Sequence, residues 1–329
     1  MACPICERKL IFVTGKGGVG KTTVSAALGV LLARLGKRVL LVELGDVPSL
    51  GRVFEQEHYG YLPQEVRPGM WIARITPDES LREYGLMKLK IKTLYNLVFD
   101  NPFVKALISL VPGMEEMLLI GKIEFMVHGR SKAPDGLPFD VVLVDAPPTG
   151  QGAGLLSMPM TILLAVKAGP ITRDVQRIQD LLTDSERCGV LLVTLPEEMA
   201  VDEALELEQA LMERGLPVCA TVMNRCVPRV FKAKDEDILD ACISKMTAET
   251  SRGPLGTVLK AAYHIAATIR SQNNQIGRYR KTGRVGHVEL PFVPAQRLGE
   301  RELLALAIRL QEQIESIECL VEPQAGDSL

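Results

Sequence analysis

The sequence predicts an α/β protein: a doubly wound, mostly parallel sheet carrying an inserted helical lobe. Three observations predict it. Short β-branched runs alternate with helical periods along most of the chain, as in a sheet covered by helices on both faces. The run Val39–Val42 is apolar without alternation, as befits a strand buried on both sides. Between about residues 77 and 134 the strand runs stop, and helical segments rich in Leu and Met take their place.

Each element follows from its residues. Leu10–Thr14 is the first strand. Thr22–Leu35 is the first helix, with Val24, Ala27, Leu28, Leu31, Leu32 and Leu35 on helical spacing and Gly36 placed to end it. Arg38–Leu44 is the second strand. The lobe is read as helices over Leu86–Phe99, Pro102–Val111 and Met114–Val127. Asp140–Asp145, Gly189–Leu195 and Val218–Met223 are further strands, with helices at Asp174–Leu182 and Asp202–Arg214 between them. Pro254–Ile269 and Glu300–Ile314 are late helices, separated by a Gly- and Arg-rich connection around Gly277–Gly286 whose Arg278, Arg280, Lys281 and Arg284 read as a solvated basic cluster. The chain reads as one domain over residues 1–329, with flexible ends at 1–8 and 320–329.

Composition narrows the function. A chain of 329 residues, 47% apolar, supports a core without disulfides or structural metal. A net charge of −2 gives no general attraction to nucleic acid. The most apolar stretch, Gly152–Val166, is broken by Ser157, Pro159 and Thr161, so no membrane span is expected. With no secretory signal visible, a cytoplasmic protein is expected.

The strongest motif is Gly15-Lys16-Gly17-Gly18-Val19-Gly20-Lys21-Thr22, which fits G-x-x-x-x-G-K-[ST] and stands between a strand and a helix, as that pattern requires. Glycines let backbone N–H groups turn toward phosphate oxygens, and the helix start adds partial positive charge. Lys21 is expected to reach the outer phosphates of ATP and Thr22 to ligate Mg²⁺. Thr23 completes the loop. A second signal is the apolar strand ending at Asp145. That places a carboxylate at the sheet's carboxyl edge, where it can hold the Mg²⁺, through water. The rigid turn Ala146-Pro147-Pro148-Thr149-Gly150 follows, a segment suited to moving as a unit when the terminal phosphate leaves. The sheet is therefore read as that of a P-loop NTPase.

Together these motifs resemble those of the arsenite-pump ATPase family, which includes the eukaryotic targeting factor for tail-anchored membrane proteins. The resemblance rests on the loop Gly15–Thr23, on Val144–Gly150 with Leu155–Pro159, on Val193–Glu198 and on Pro112–Glu116, and it spans roughly Leu10 to Leu310. It implies an ATPase working as a nucleotide-gated dimer on a protein client, either a homodimer or a heterodimer with a paralogue. Lys16, directly after the first glycine, corresponds to the lysine that reaches the partner's nucleotide in such dimers. Asn224 matches the family's adenine-reading Asn, and Pro291 and Phe292 lie in a stretch resembling the loop that packs on the base.

The chain also departs from the family. The position of the family's water-orienting Asp reads Gly45, with Asp46 one residue later and Glu43 two earlier. Asp46 is the expected replacement, and a non-catalytic ATP-binding regulatory subunit paired with a catalytic paralogue is the alternative reading. The thirty residues between Met158 and Gly189 leave no room for the targeting factor's long Met-rich insertion. There is one phosphate loop, not a fused tandem, and Cys188, Cys219, Cys226, Cys242 and Cys319 lack metal-ligand spacing. Met87, Met114, Met117 and Met126 in the lobe read as core, or as an adaptable apolar groove. Cys3 and Cys6 form one CxxC pair, two ligands where structural zinc takes four; a zinc shared across a dimer is the minor reading beside an inert terminus.

Overall fold

The computed structural model describes residues 4–45, 48–89, 112–130, 133–165, 170–246, 253–295 and 298–318. In chain order the elements are α1 (Pro4–Glu7), β1 (Leu10–Gly15), α2 (Lys21–Arg34), β2 (Val39–Leu44), α3 (Ser49–Phe54), β3 (Gln64–Arg67), β4 (Met70–Ile75), α4 (Pro77–Leu89) and α5 (Met114–Val127). There follow β5 (Val141–Asp145), α6 (Thr149–Ala165), α7 (Pro170–Thr183), β6 (Cys188–Thr194), α8 (Glu198–Glu213), β7 (Val218–Cys226), α9 (Ala233–Ser244), α10 (Pro254–Thr282), β8 (His287–Pro291) and α11 (Glu300–Glu318).

The eight strands form one sheet in the order β3-β4-β2-β5-β1-β6-β7-β8. Every pairing is parallel except the edge pair β3–β4. Alternation along each strand divides two cores. Ile11, Val13, Leu41, Leu143 and Leu191 meet Leu28 and Leu31 of α2 and Leu303 and Leu310 of α11. Leu10, Phe12, Leu40, Val142 and Val144 meet Ile120 and Ile123 of α5, Leu155 and Leu156 of α6, and Leu181 of α7. This is the expected doubly wound α/β sheet. Because the strands are parallel, their carboxyl ends line one edge, where β1, β5 and β6 deliver the loops that carry chemistry.

Several expectations need correction. The expected lobe helices Leu86–Phe99 and Pro102–Val111 lie largely outside the described residues. The helices that are described, α4 and α5, pack together with α6 and α7, so the helical layer draws on segments after β5 as well. Residues 4–8 were expected to be loose, yet Ile5 and Cys6 are buried in the core and Arg8 Nε donates to Ser185 O at 2.9 Å. Two apolar residues, Ile5 and Cys6, between Pro4 and Glu7 are too short a run to register as a buried turn. β3, β4, β8, α3 and α9 were not foreseen as elements; each is short, or interrupted by charged residues such as Arg74 and Glu289.

The largest correction is α10. It runs for 29 residues through the expected connection, and Gly277 lies inside it. Of the arginines read as a solvated cluster, Arg278 pairs with Asp202 and the exposed Arg280 stands 3.6 Å from Glu289, while just past the helix the backbone N–H of Arg284 donates to Glu208. Ile269, Gln272, Ile276 and Tyr279 recur at spacings of three and four and are all buried. Gln272 donates to Val227 O and accepts from Val227 N–H, both at 2.8 Å, so it is fixed level with the carboxyl end of β7. The same spacing continues upstream through Ile265, Ala262, Val258 and Leu255, where Leu255, Val258 and Ile265 are exposed. Among the described residues no helix is long and apolar enough to cross a membrane.

Candidate active site

The loop after β1 is shaped by glycines at left-handed angles, Gly18 at φ +84° and Gly20 at φ +92°. A side chain on Gly15 would collide with Val193 O at 2.1 Å, and one on Gly20 with the Asn224 amide at 2.3 Å. Nothing stands within 4 Å of a Cβ built on Gly18, so the loop is braced behind and open in front. Gly20 is also the N-cap of α2, whose first N–H groups carry no side-chain cap. That leaves donors for an anion at a helix start.

Lys21 opens α2, and its ammonium donates to Lys16 O at 3.0 Å. Burial lowers its pKa while the nearby Asp145 charge opposes that shift. Thr22 Oγ1 donates to Asp145 Oδ2 at 2.6 Å, and Ser25 Oγ donates to Oδ1 at 3.1 Å. Asp145 is buried at the end of β5, and its pKa is pushed up to about 6, first by desolvation, against hydrogen bonds from Thr22 and Ser25, with the Glu43 charge adding to the rise. Thr22 and Asp145 thus offer hard oxygen atoms at one point beside the loop, the donor set that suits Mg²⁺ completed by phosphate and water. Behind them Gly152 N–H donates to Pro148 O at 3.0 Å, and a Cβ on Gly152 would meet Thr14 Oγ1 at 2.8 Å. The turn after Asp145 therefore packs directly on β1.

Asn224, at the end of β7, donates from Nδ2 to Val19 O at 2.8 Å and is buried. It lines a cavity of about 370 Å³ with Thr23, Arg225, Pro291 and Phe292, among others. The residues expected around a base are thus gathered in one place, and Asn224 has a second, unforeseen contact with the phosphate loop itself. Within the single chain the Lys16 ammonium pairs with Glu203 of α8 at 2.5 Å.

Asp46 lies outside the described residues. Gly45 adopts φ +97°, a left-handed angle that is strained for an L side chain. Glu43 is buried and fully engaged, accepting from Ser49 N–H at 2.7 Å, from Leu50 N–H at 3.3 Å and from the Tyr59 hydroxyl. Met87, Met114 and Met117 border a cavity of about 440 Å³ together with Leu118, Phe125 and Ile178, with Glu83, Lys122 and Asp174 among its polar lining. Met126 is core. Cys3 lies outside the described residues, and burial of Cys6 removes it as a surface ligand for zinc shared between copies. Among the described residues no group of three His, Cys, Asp or Glu side chains could hold a metal on its own.

Ser25, Glu203 and the Glu43–Tyr59 pair were missed from the sequence. Ser25 was within reach, since it stands three positions after Thr22 on the same helix face. Glu203 and Tyr59 gave no local signal, because their partners are distant in the chain.

Comparison with known proteins accords with this geometry. A family profile described as Anion-transporting ATPase matches residues 8–169. The ATPase BagA of Mycobacterium tuberculosis is 31% identical over 255 residues, covering 76% of this chain and 74% of that protein. The chain belongs to the anion-transporting ATPase family. This ATPase is also 25% identical to a putative arsenical pump-driving ATPase of Aquifex aeolicus over 67% of the chain and 64% of that relative. It is 32% identical to an ATPase ASNA1 homolog of Paramecium tetraurelia over 46% and 44%.

Proposed function

We propose that this ATPase binds Mg²⁺·ATP at the loop Gly15–Thr23 and hydrolyses it as a nucleotide-gated dimer, coupling the cycle to a protein client. The observation that carries the reading is the Thr22–Asp145 contact of 2.6 Å, because it joins the phosphate loop to the strand-end carboxylate on the edge that also holds the base cavity. In this reading backbone N–H groups of the loop and of the α2 start hold the phosphates. Lys21 moves from Lys16 O to the outer phosphates. The metal, held through Thr22 and Asp145, would neutralise charge developing on the phosphates. Thr23, Asn224, Pro291 and Phe292 receive the adenine.

Two features favour a dimer. Lys16 is partly exposed beside the loop, and its ion pair with Glu203 is of the surface kind, worth about 0–1 kcal/mol, so it is readily exchanged for a phosphate. The bare stripe Leu255, Val258 and Ile265 stands beyond the same sheet edge. Its flanking positions Leu259, Ala261 and Ala262 are uncharged, so the stripe itself is apolar.

Steady-state turnover with Mg²⁺ across protein concentrations tests the reading. Activity per chain should rise with concentration, and Lys21→Ala should abolish ATP binding by calorimetry while the protein stays folded. Unchanged affinity in that variant would reject the loop assignment. The left-handed Gly45 at the family's Asp position favours the second reading, a regulatory subunit with a paralogue. Tight ATP binding with no turnover at any concentration would select it.

A further inference from the structure

Glu43 has no part in the proposed nucleotide contacts, yet it is a buried carboxylate beside them. On β2 it is in register with Asp145 of β5 on one side and Arg74 of β4 on the other. Neighbouring strands lie about 4.8 Å apart, so two acidic residues sit side by side at the carboxyl edge. Like charges side by side are unfavourable and buried charge is costly, and Arg74 in register on β4 offsets part of that cost. The carboxylate is used as an anchor.

One oxygen of Glu43 accepts both the Ser49 N–H, at 2.7 Å, and the Leu50 N–H, at 3.3 Å; the other accepts the Tyr59 hydroxyl. Ser49 and Leu50 are the first residues of α3, whose N-cap position is Pro48 and lacks any side-chain cap. The cap therefore comes from a strand six residues upstream in the chain. Tyr59 is buried over α3, where Gly51 makes the room: a Cβ there would lie 2.8 Å from the Tyr59 ring. At the other end of the short connection, Gly45 N–H donates to Ile75 O at 3.2 Å. Both ends of the connection from Gly45 to Ser49 are thus tied to the sheet, one through β4 and one through Glu43.

We infer that Glu43 is a positioning residue of this ATPase, holding the start of α3, where the connection from Gly45 arrives, in fixed register with Asp145. Both its carboxylate oxygens are taken up by Ser49, Leu50 and Tyr59, so it acts through what it holds. The placement of the α3 start thereby depends on the strand in register with Asp145. The inference rests on the ATPase reading above for its effect on rate, and on the hydrogen bonds alone for its effect on the connection.

The test compares Glu43→Ala, Glu43→Gln and Tyr59→Phe in the full chain. Turnover should fall by about 10- to 100-fold in Glu43→Ala with the KM for ATP nearly unchanged, since misplacement by about 1 Å costs on that order. Glu43→Gln retains an acceptor oxygen and should recover part of the loss, and Tyr59→Phe should lose less than Glu43→Ala. Hydrogen exchange at the Ser49 and Leu50 amides should speed up in Glu43→Ala, and its slowing by Mg²⁺·ATP should disappear. A kcat that drops only with the folded fraction, measured by circular dichroism, overturns the inference, as does unchanged exchange at Ser49 and Leu50. Absence of turnover in the unmodified protein removes the ATPase reading, while the exchange result still decides the role of Glu43.

Discussion

Asp145 shows how a buried carboxylate at the sheet edge costs stability once it is ionised. Its pKa rises from 3.8 to about 6, mainly through burial. Between those pH values the native chain keeps a proton that the unfolded chain has lost, so the contribution of this residue to stability falls as pH rises through that window. Above about pH 6 the full penalty applies, on the order of 1–3 kcal/mol. Nucleotide-free Asp145→Asn should therefore unfold at higher urea than the parent at pH 7 and at about the same urea at pH 4, while Mg²⁺-dependent tightening of ATP binding is lost. Equal stability at both pH values would show that the charge is not penalised. The pairing of Thr22 with Asp145 was legible in the sequence because each residue type sits in a motif with its own geometry. The pairing of Lys16 with Glu203 was not, because a lysine on a loop carries no information about which distant helix will face it.

At the level of elements, legibility followed burial pattern and failed where punctuation misled. Strands β1, β2, β5, β6 and β7 were found because they are apolar on both faces. β4 was missed because Arg74 interrupts it and Gly69 adjoins it, although Met70, Trp71 and Ile72 are buried. α10 was cut short because Gly277 and the arginines around it look like a connection, whereas the three-four spacing from Ile269 to Tyr279 is what fixes the helix. Gly277 has no contact within 4 Å that would demand a glycine and no positive φ. Gly277→Ala should thus stabilise the protein by about 0.5–1 kcal/mol, read as a higher urea midpoint with an unchanged slope. A destabilised variant would mean that the helix there needs the freedom of glycine.

For the whole molecule, the sheet order places the glycine-rich loop after β1, the strand-end carboxylate and the cavity beside Asn224 on one edge. The sequence conveyed that arrangement through the motifs, though not which surfaces lie around it. The exposed half of α10 was invisible in the sequence because exposure depends on what α9, which packs on it through Arg270 and Asp240, leaves uncovered. If a second copy covers this face, Val258→Asp together with Ile265→Asp should keep ATP affinity and abolish ATP-dependent dimers in sedimentation. Activity per chain should then lose its dependence on concentration. Dimers that persist in the double variant would move the contact elsewhere.

The clamp between Gln272 and Val227 makes α10 a lever with unequal arms. Residues 254–271 lie upstream of it, an arm of about 27 Å at about 1.5 Å per residue, and α9 travels with that arm because Arg270 donates to Asp240 at 2.9 Å. The fulcrum sits three residues along the chain from Asn224, whose amide holds the Val19 carbonyl of the phosphate loop. A tilt of about 10° there, too small to break the packing of Ile276 and Tyr279, would carry the far end of that arm through about 5 Å. Displacements of a fraction of an ångström around the nucleotide would thus be magnified into steps the size of a helical turn at the tip of the arm.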